Sequence, residues 1–207
     1  MKLLSGRRIV LATLALTCAS GLFALPARAA DNAKQFIQNF GTQLVAIVNS
    51  PVPLSEKKTK VLPLVQKNVD IDGIGRYCLG RYWKIATPEQ RQHYLALFHE
   101  VLVNAITDKL GEYRGVSFTI GDVTKSGGED SVNAILLRPQ QPPASMQWVV
   151  SYDNGQPQVV DVVGEGASLR LTQRNDYSSF IARNGGSVAT LLSALQKQLD
   201  RHNQASN

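Results

Sequence analysis

The sequence is poor in the side chains that usually carry chemistry. Its 207 residues hold two cysteines and three histidines, and Cys18 lies inside an apolar N-terminal run that reads as a leader. Cys78 is then left without an intramolecular partner, which excludes a disulfide-stapled fold; a lone thiol is either buried and inert or reactive and intermolecular. His93 and His99 stand six apart on one predicted helix, hence on different faces. His202 sits in a polar tail, Arg201-His202-Asn203-Gln204, that reads as frayed. No metal site is expected from that spacing. No Gly-x-Ser-x-Gly or Ser-x-x-Lys occurs in a convincing helix-start context, so a nucleophilic triad is not expected either.

Charge of one sign is also scarce once the leader is set aside. The net charge is +6, but Lys2, Arg7, Arg8 and Arg28 supply four of those charges before the first acid, Asp31, leaving about +2. No dense Lys/Arg stripe with interleaved aromatics is present, and nucleic acid is not an expected partner. The leader itself has a basic start, an apolar stretch from Ile9 to Leu25 and the small-x-small site Ala27-Arg28-Ala29. Residues 1–29 therefore read as a cleaved signal peptide and 30–207 as one exported domain. A retained anchor fits less well because the apolar run is short and interrupted, and Ala15-Leu16-Thr17 is a poor lipidation site before Cys18. About 178 remaining residues suffice for a single core.

The first half has helical periodicity. Asp31 reads as a cap before Phe36, Ile37, Phe40, Leu44, Val45 and Val48, a stripe that Pro51 and Pro53 end. A second helix is predicted from Ser55 to Asn68 with a kink or break at Pro63, and a short third from Asp70 to Tyr77, closed by Gly80. Thr87-Pro88-Glu89-Gln90 is the strongest start signal: a hydroxyl at the cap, proline at the first helical position, and Gln90 placed to reach back to the cap's amide. Tyr94, Phe98, Val101, Leu102, Ala105 and Ile106 follow at spacings of three and four, predicting a helix to Glu112.

After Gly115 the period becomes two. Val116, Phe118 and Ile120, then Val132, Ala134 and Leu136, read as strands joined across Ser126-Gly127-Gly128. Trp148–Tyr152 and 159–163 read as a second hairpin about Asp153-Asn154-Gly155. Helices are predicted over Asn175–Asn184 and Ser187–Leu199, the latter on Val188, Leu191, Leu192, Leu195 and Leu199. Helices, then an antiparallel sheet, then helices is an α+β order: a single domain with about four antiparallel strands packed against several helices.

Between the last strand and those helices, Gly164-Glu165-Gly166 suggests a cofactor loop or an acid on a turn. The third glycine of a dinucleotide fingerprint is missing, Leu169 standing in its place, and Ser168-Leu169-Arg170-Leu171-Thr172 alternates like a strand, so no helix N-terminus is expected there. Asp161 and Glu165, four apart in an extended strand, would be ~13 Å from each other, too far to share a substrate. A binder is a better expectation than an enzyme.

Asp72-Gly73-Ile74-Gly75-Arg76-Tyr77-Cys78-Leu79-Gly80-Arg81-Tyr82-Trp83-Lys84, followed by Thr87-Pro88-Glu89-Gln90 and a helix containing Phe98, resembles the Gly-Arg-x-Trp and Pro-Glu-Gln region of the toluene-tolerance, or MlaC-type, periplasmic lipid-binding proteins. Trp148, the hairpin, Val160-Asp161-Val162, Glu165-Gly166, Ser168-Leu169, Thr172 and Arg174 continue the resemblance through nearly the whole mature chain. Gln173 departs from it, an aromatic being expected before the arginine. The resemblance implies a soluble, monomeric periplasmic carrier without cofactor. It would shuttle phospholipid between an outer-membrane lipoprotein complex and an inner-membrane ABC transporter complex, its sheet and helices enclosing an apolar cavity. A hopanoid-like polycyclic lipid, or a ligand-free adaptor role, are the alternatives.

On that reading the sheet face bearing Trp148, Val150, Tyr152, Val160 and Val162 meets helices supplying Phe98, Leu102 and Ile106, with Tyr177 and Ile181 completing the candidate lipid contacts; each is also acceptable as plain core. Arg81, Lys84 and Arg170 are candidates for steering anionic headgroups or docking acidic partners.

Overall fold

The computed structural model describes residues 27–206, so the predicted leader with Cys18 lies almost wholly outside the described residues. Seven α-helices and one five-stranded sheet are present among them: α1 Ala27–Asn49, α2 Leu54–Asn68, α3 Ile71–Leu79, α4 Tyr82–Ile85, α5 Pro88–Asp108, β1 Ser117–Ser126, β2 Glu129–Leu137, β3 Ala144–Ser151, β4 Gln158–Gly164, β5 Ala167–Ser168, α6 Leu169–Arg183 and α7 Val188–Ser206. The strands pair in chain order, all antiparallel, as an open meander. This is the α+β architecture predicted, with one strand more than expected.

Local chemistry sets the boundaries that place the cavity walls. Asp70 caps α3 by accepting from Gly73 N–H at 2.9 Å, and the Asp70 N–H donates to Val159 C=O at 3.0 Å. The α2–α3 corner is thereby pinned to β4, along the stretch that the two-residue β5 leaves uncovered. Thr87 and Gln90 form the reciprocal capping box at 3.2 and 3.1 Å, so α5 starts where the sequence placed it. It ends at Asp108, four residues early, and continues as a 3-10 turn over Lys109–Tyr113. Two helices differ in extent or continuity from the prediction. Already helical from Ala27, α1 carries Asp31 inside it rather than at its start, and α2 runs uninterrupted through Pro63.

The third difference concerns the segment after β4. Glu165 and Gly166, with φ of 51° and 80°, form a two-residue turn in which both central residues are left-handed, the pattern of the tight hairpin, and Gly164 pairs with Ala167. Glu165 is exposed at this corner. Ser168 then caps a helix, its hydroxyl accepting from Leu171 N–H at 3.0 Å. The alternation of Leu169 and Leu171 that suggested a strand instead puts two leucines in solvent, 59% and 45% exposed, on the first turn of α6.

The core divides into two clusters. The larger joins α2, α3, α5, α6 and α7 and includes Tyr94, Leu79, Cys78 and Ile181; the predicted leucine stripe of α7 is buried in it. The smaller packs α1 through Ala33, Ile37 and Phe40 on the inner sheet face at Val132, Val150 and Val159. The C-terminal tail is not frayed: α7 extends to Ser206, and His202 Nε2 lies 2.9 Å from Asp108 Oδ2, while Lys58 Nζ donates to Asp108 Oδ1 at 2.8 Å, tying α2, α5 and α7 together. Among the described residues no helix is long and apolar enough to cross a membrane.

Candidate functional site

Between the two clusters lies an apolar cavity of about 420 Å³, walled by α1, α2, α3, α5, α6 and the β3–β4 pair. It arises because α5 packs on α2, α3 and α7 rather than on the sheet, while α6 is tied to β4 at its start, so the side chains of β3 and β4 are left facing α5 across a gap. Lining residues that are also exposed mark its mouth: Ala105 on α5, and Leu169, Thr172 and Asp176 on α6. The mouth opens between these two helices.

The wall is built largely of aromatic and branched aliphatic groups. Trp148 on β3 meets Phe40 of α1 edge to face, 5.7 Å between centroids at 84°. Phe98 on α5 meets Tyr177 of α6 in the same way, 6.4 Å at 83°, which props α5 and α6 apart at the inner end. Tyr94, just behind Phe98, is fully buried and donates to Gly75 C=O at 3.0 Å; burial, then the neighbouring Tyr177 and Cys78, push its phenol pKa upward, so it stays a hydrogen-bond donor.

Seven of the ten predicted contact residues line this cavity: Phe98, Leu102, Ile106, Trp148, Val160, Val162 and Tyr177. Val150, Tyr152 and Ile181 do not. Val150 is 0% exposed in the cluster under α1, and Ile181 is 0% exposed in the helical core. Tyr152 lies toward the open end of β3, where its hydroxyl donates to the buried Asp130 carboxylate at 3.0 Å; burial and that carboxylate push its pKa up to about 12. Separately, β4 carries a β-bulge. Val149 pairs with Asp161 but Val150 pairs with Val159, so Val160 is an extra residue and strict alternation fails. As a result Val159, Val160, Asp161 and Val162, four consecutive residues, all reach the cavity. Sequence reasoning also missed the contributions of α1, α2 and α3, namely Phe40, Leu44, Val65, Val69 and Ile74. The helical stripes that carry most of them were visible, but nothing in a stripe says whether it faces a neighbour or a void.

One polar knot closes the wall. Asp161 is buried and accepts from Val162 N–H at 2.8 Å, Arg170 N–H at 3.0 Å and the Ser168 hydroxyl. Arg170 reaches across to β2 and binds Glu129 in a fork, Nη1 to Oε1 at 2.9 Å and Nη2 to Oε2 at 2.8 Å, with Nε 3.6 Å from Asp161 and its guanidinium 4.7 Å from the centre of the Tyr77 ring. Burial works against the charge of Arg170, but Glu129 and Asp161 outweigh it and hold its pKa above the usual value. Arg170 is thus committed to its own carboxylates rather than offered to a headgroup. The first-turn amides of α6 are likewise taken by Asp161 and Ser168, so the helix N-terminus that the sequence did not foresee is filled by the chain itself. Asp161 in this knot and Glu165 on an exposed turn do not form an acid–base pair.

Cys78 lines the cavity and is 0% exposed; burial, then the nearby Asp161 charge, push its thiol up to about 12, which keeps it protonated and unreactive. Among the described residues no group of three or more His, Cys, Asp or Glu is placed to hold a metal ion. The departure at Gln173 puts an amide, not an aromatic, on the cavity side of α6.

The family model described as MlaC protein matches residues 30–197. The chain belongs to the MlaC family. A solved structure of a phospholipid-binding protein from Ralstonia solanacearum, in complex with a phospholipid, superposes on this MlaC-family chain with a TM-score of 0.71 at 20% identity, covering 85% of this chain and 99% of that one. At that identity the likeness establishes the shared fold, and the α+β MlaC architecture predicted from the sequence is the one observed.

Proposed function

We propose that this protein is a phospholipid-binding carrier rather than an enzyme, and that the cavity between α5, α6 and the β3–β4 pair takes up acyl chain through the mouth at Ala105, Leu169, Thr172 and Asp176. The observation that carries this reading is the apolar, partly open cavity itself, in a chain of the MlaC family whose fold is shared with a protein solved in complex with a phospholipid. The finer steps belong to the same proposal: export to the periplasm after cleavage of residues 1–29, and shuttling between an outer-membrane lipoprotein complex and an inner-membrane ABC transporter complex.

The size of the cavity has a mechanical consequence. A methylene occupies about the same volume as a water molecule in the liquid, ~30 Å³. A cavity of about 420 Å³ then holds at least about fourteen methylenes, one acyl chain or more. A two-chain lipid is taken to enter as α5 and α6 part at the mouth, a step that a crosslink across it tests. Against water, one such chain gains about 11 kcal/mol at ~0.8 kcal/mol per methylene. Against a bilayer, which is equally apolar, it gains close to nothing. Net movement of lipid must then be driven by docking to a partner or by active transport, and the carrier need only match the membrane it visits.

Native mass spectrometry of protein purified gently from its own cells, with extraction and identification of the bound lipid, tests the reading. A phospholipid adduct at near one-to-one stoichiometry is expected. Protein that is empty and also takes up no lipid from phospholipid vesicles would overturn it.

A further inference from the structure

A second concavity, of about 320 Å³, lies where the end of α3, the short α4 and α6 meet, and it shares no lining residue with the apolar cavity. Arg76, Arg81, Lys84 and Arg174 line it with Tyr77 and Gly80; no carboxylate does. Among the described residues none of these four cations is in an ion pair, whereas Arg170, one turn before Arg174, is paired twice. Placing cations in the last turns of α3 and α4 complements the helix dipoles and accounts for Arg76 and Lys84 individually. It does not account for the convergence of all four on one hollow, which raises their mutual repulsion without any compensating acid.

Two of the guanidiniums are held in a presenting geometry. Arg81 lies 5.1 Å from the centre of the Tyr82 ring and donates to the Tyr82 hydroxyl at 3.2 Å; Arg174 lies 5.0 Å from the centre of the Tyr77 ring. An aromatic ring occupies the flat face of a guanidinium and leaves N–H edges free for an oxyanion, while restricting the rotamers that binding would otherwise have to freeze. Gly80 keeps the hollow open: its φ is +57°, and a Cβ there would lie 3.0 Å from Arg174 Nε.

From this geometry we propose that the hollow is a docking site for a protruding acidic segment of a protein partner, with at least two carboxylates entering between Arg81, Lys84 and Arg174. The forked N–H edges match carboxylates bidentately. Four cations converging on one shallow concavity complement a segment that carries several carboxylates close together, and anionic vesicles are the competing occupant in the test. The proposal does not depend on what the apolar cavity carries.

The test uses purified protein and a capped hexaglutamate peptide, followed by amide chemical shifts at physiological ionic strength. The expected result is saturable shifts confined to the segments around Gly80 and Arg174. Lys84→Gln combined with Arg174→Gln should weaken binding about five- to thirtyfold, since each exposed charge pair is worth up to about 1 kcal/mol. Lys34→Gln with Lys197→Gln, on other exposed surfaces, should leave it unchanged. Arg81→Gln, alone and on an exposed side chain, gives the same reading if the double variant melts early. Shifts spread over the whole surface, equal weakening by the control pair, or binding of phosphatidylglycerol vesicles that the Lys84/Arg174 pair abolishes while the peptide does not bind, would each overturn it.

Discussion

Leu102→Gln and Val150→Gln separate a cavity wall from a core, because both residues read from the sequence as lipid contacts and the structure places only Leu102 at the cavity. Leu102 is half-buried on the cavity side of α5, whereas Val150 is 0% exposed among Ile37, Phe40, Val132 and Val159. In empty protein Leu102→Gln forfeits part of one apolar burial, about 1 kcal/mol, and its amide can still reach water in the cavity. A domain of this size loses ~2–4 °C in Tm per kcal/mol. With an acyl chain in place that amide is enclosed without a partner, at a cost of about 1–3 kcal/mol, a five- to hundredfold drop in loading. Since transfer from a bilayer starts near balance, such a drop leaves most of the protein empty. Val150→Gln instead loses its full burial and buries an amide outright, roughly 3–5 kcal/mol together, lowering Tm by about 6–20 °C. Loading from fluorescent-lipid vesicles and a thermal melt on each variant provide the comparison. Leu102→Gln loading like the wild type, or both variants losing lipid in proportion to lost stability, would refute the assignment of the wall.

Arg170→Ala should cost about 2–3 kcal/mol by stranding Glu129 and removing a cation from buried Asp161, and Arg170→Lys should recover little because an ammonium cannot reproduce the fork; denaturant melts check both. Cys78 should resist alkylation at pH 8, since its thiol, raised to about 12, carries almost no thiolate until the pH nears that value or the chain unfolds. The Asp108 carboxyl is held below its ordinary value by Lys58 despite some burial, with His202 adding to the effect. Its stabilising contribution is therefore present above about pH 4 and lost as pH falls through the lowered folded value, so Asp108→Asn should flatten the acid limb of a stability–pH curve. Joining Ala105→Cys to Thr172→Cys with a short bismaleimide across the mouth should block uptake of two-chain phospholipid more than of a single-chain lysolipid; equal uptake of both would show that α5 and α6 need not part.

How much of this was legible in the sequence depended on whether a signal was local. The capping box at Thr87, the hairpin across Gly127-Gly128 and the leucine stripe of α7 are decided by neighbours in the chain, and the structure has them where the spacing put them. The start of α6 was not legible because its cap is completed from a distance: Asp161 of β4 takes the Arg170 amide, while Leu169 and Leu171 alternate misleadingly and face solvent. Similarly, the C-terminal tail is held by Asp108, ninety-four residues away, through His202. The cavity was half legible. Apolar periodicity named Phe98, Leu102, Trp148 and Tyr177, but neither the packing of α1 over Val150 nor the bulge at Val160, which brings Val159 to the wall, leaves a trace in a pattern of valines. Charge misled in its own way: Arg170 looked available and is committed, while Arg76 and Arg174, lying far apart in sequence, converge on one hollow.

The chain has only two tryptophans, and they sit in different places: Trp148 in the cavity wall, Trp83 outside it under the Arg91 guanidinium. Phospholipid brominated along its acyl chain, added as vesicles to the Trp83→Phe and Trp148→Phe variants, therefore reports directly on where the chain goes. Quenching of Trp148 with Trp83 unaffected is the result expected if the acyl chain enters between α5, α6 and the sheet. Quenching of neither, or of both equally, would mean that the cavity is not the lipid site.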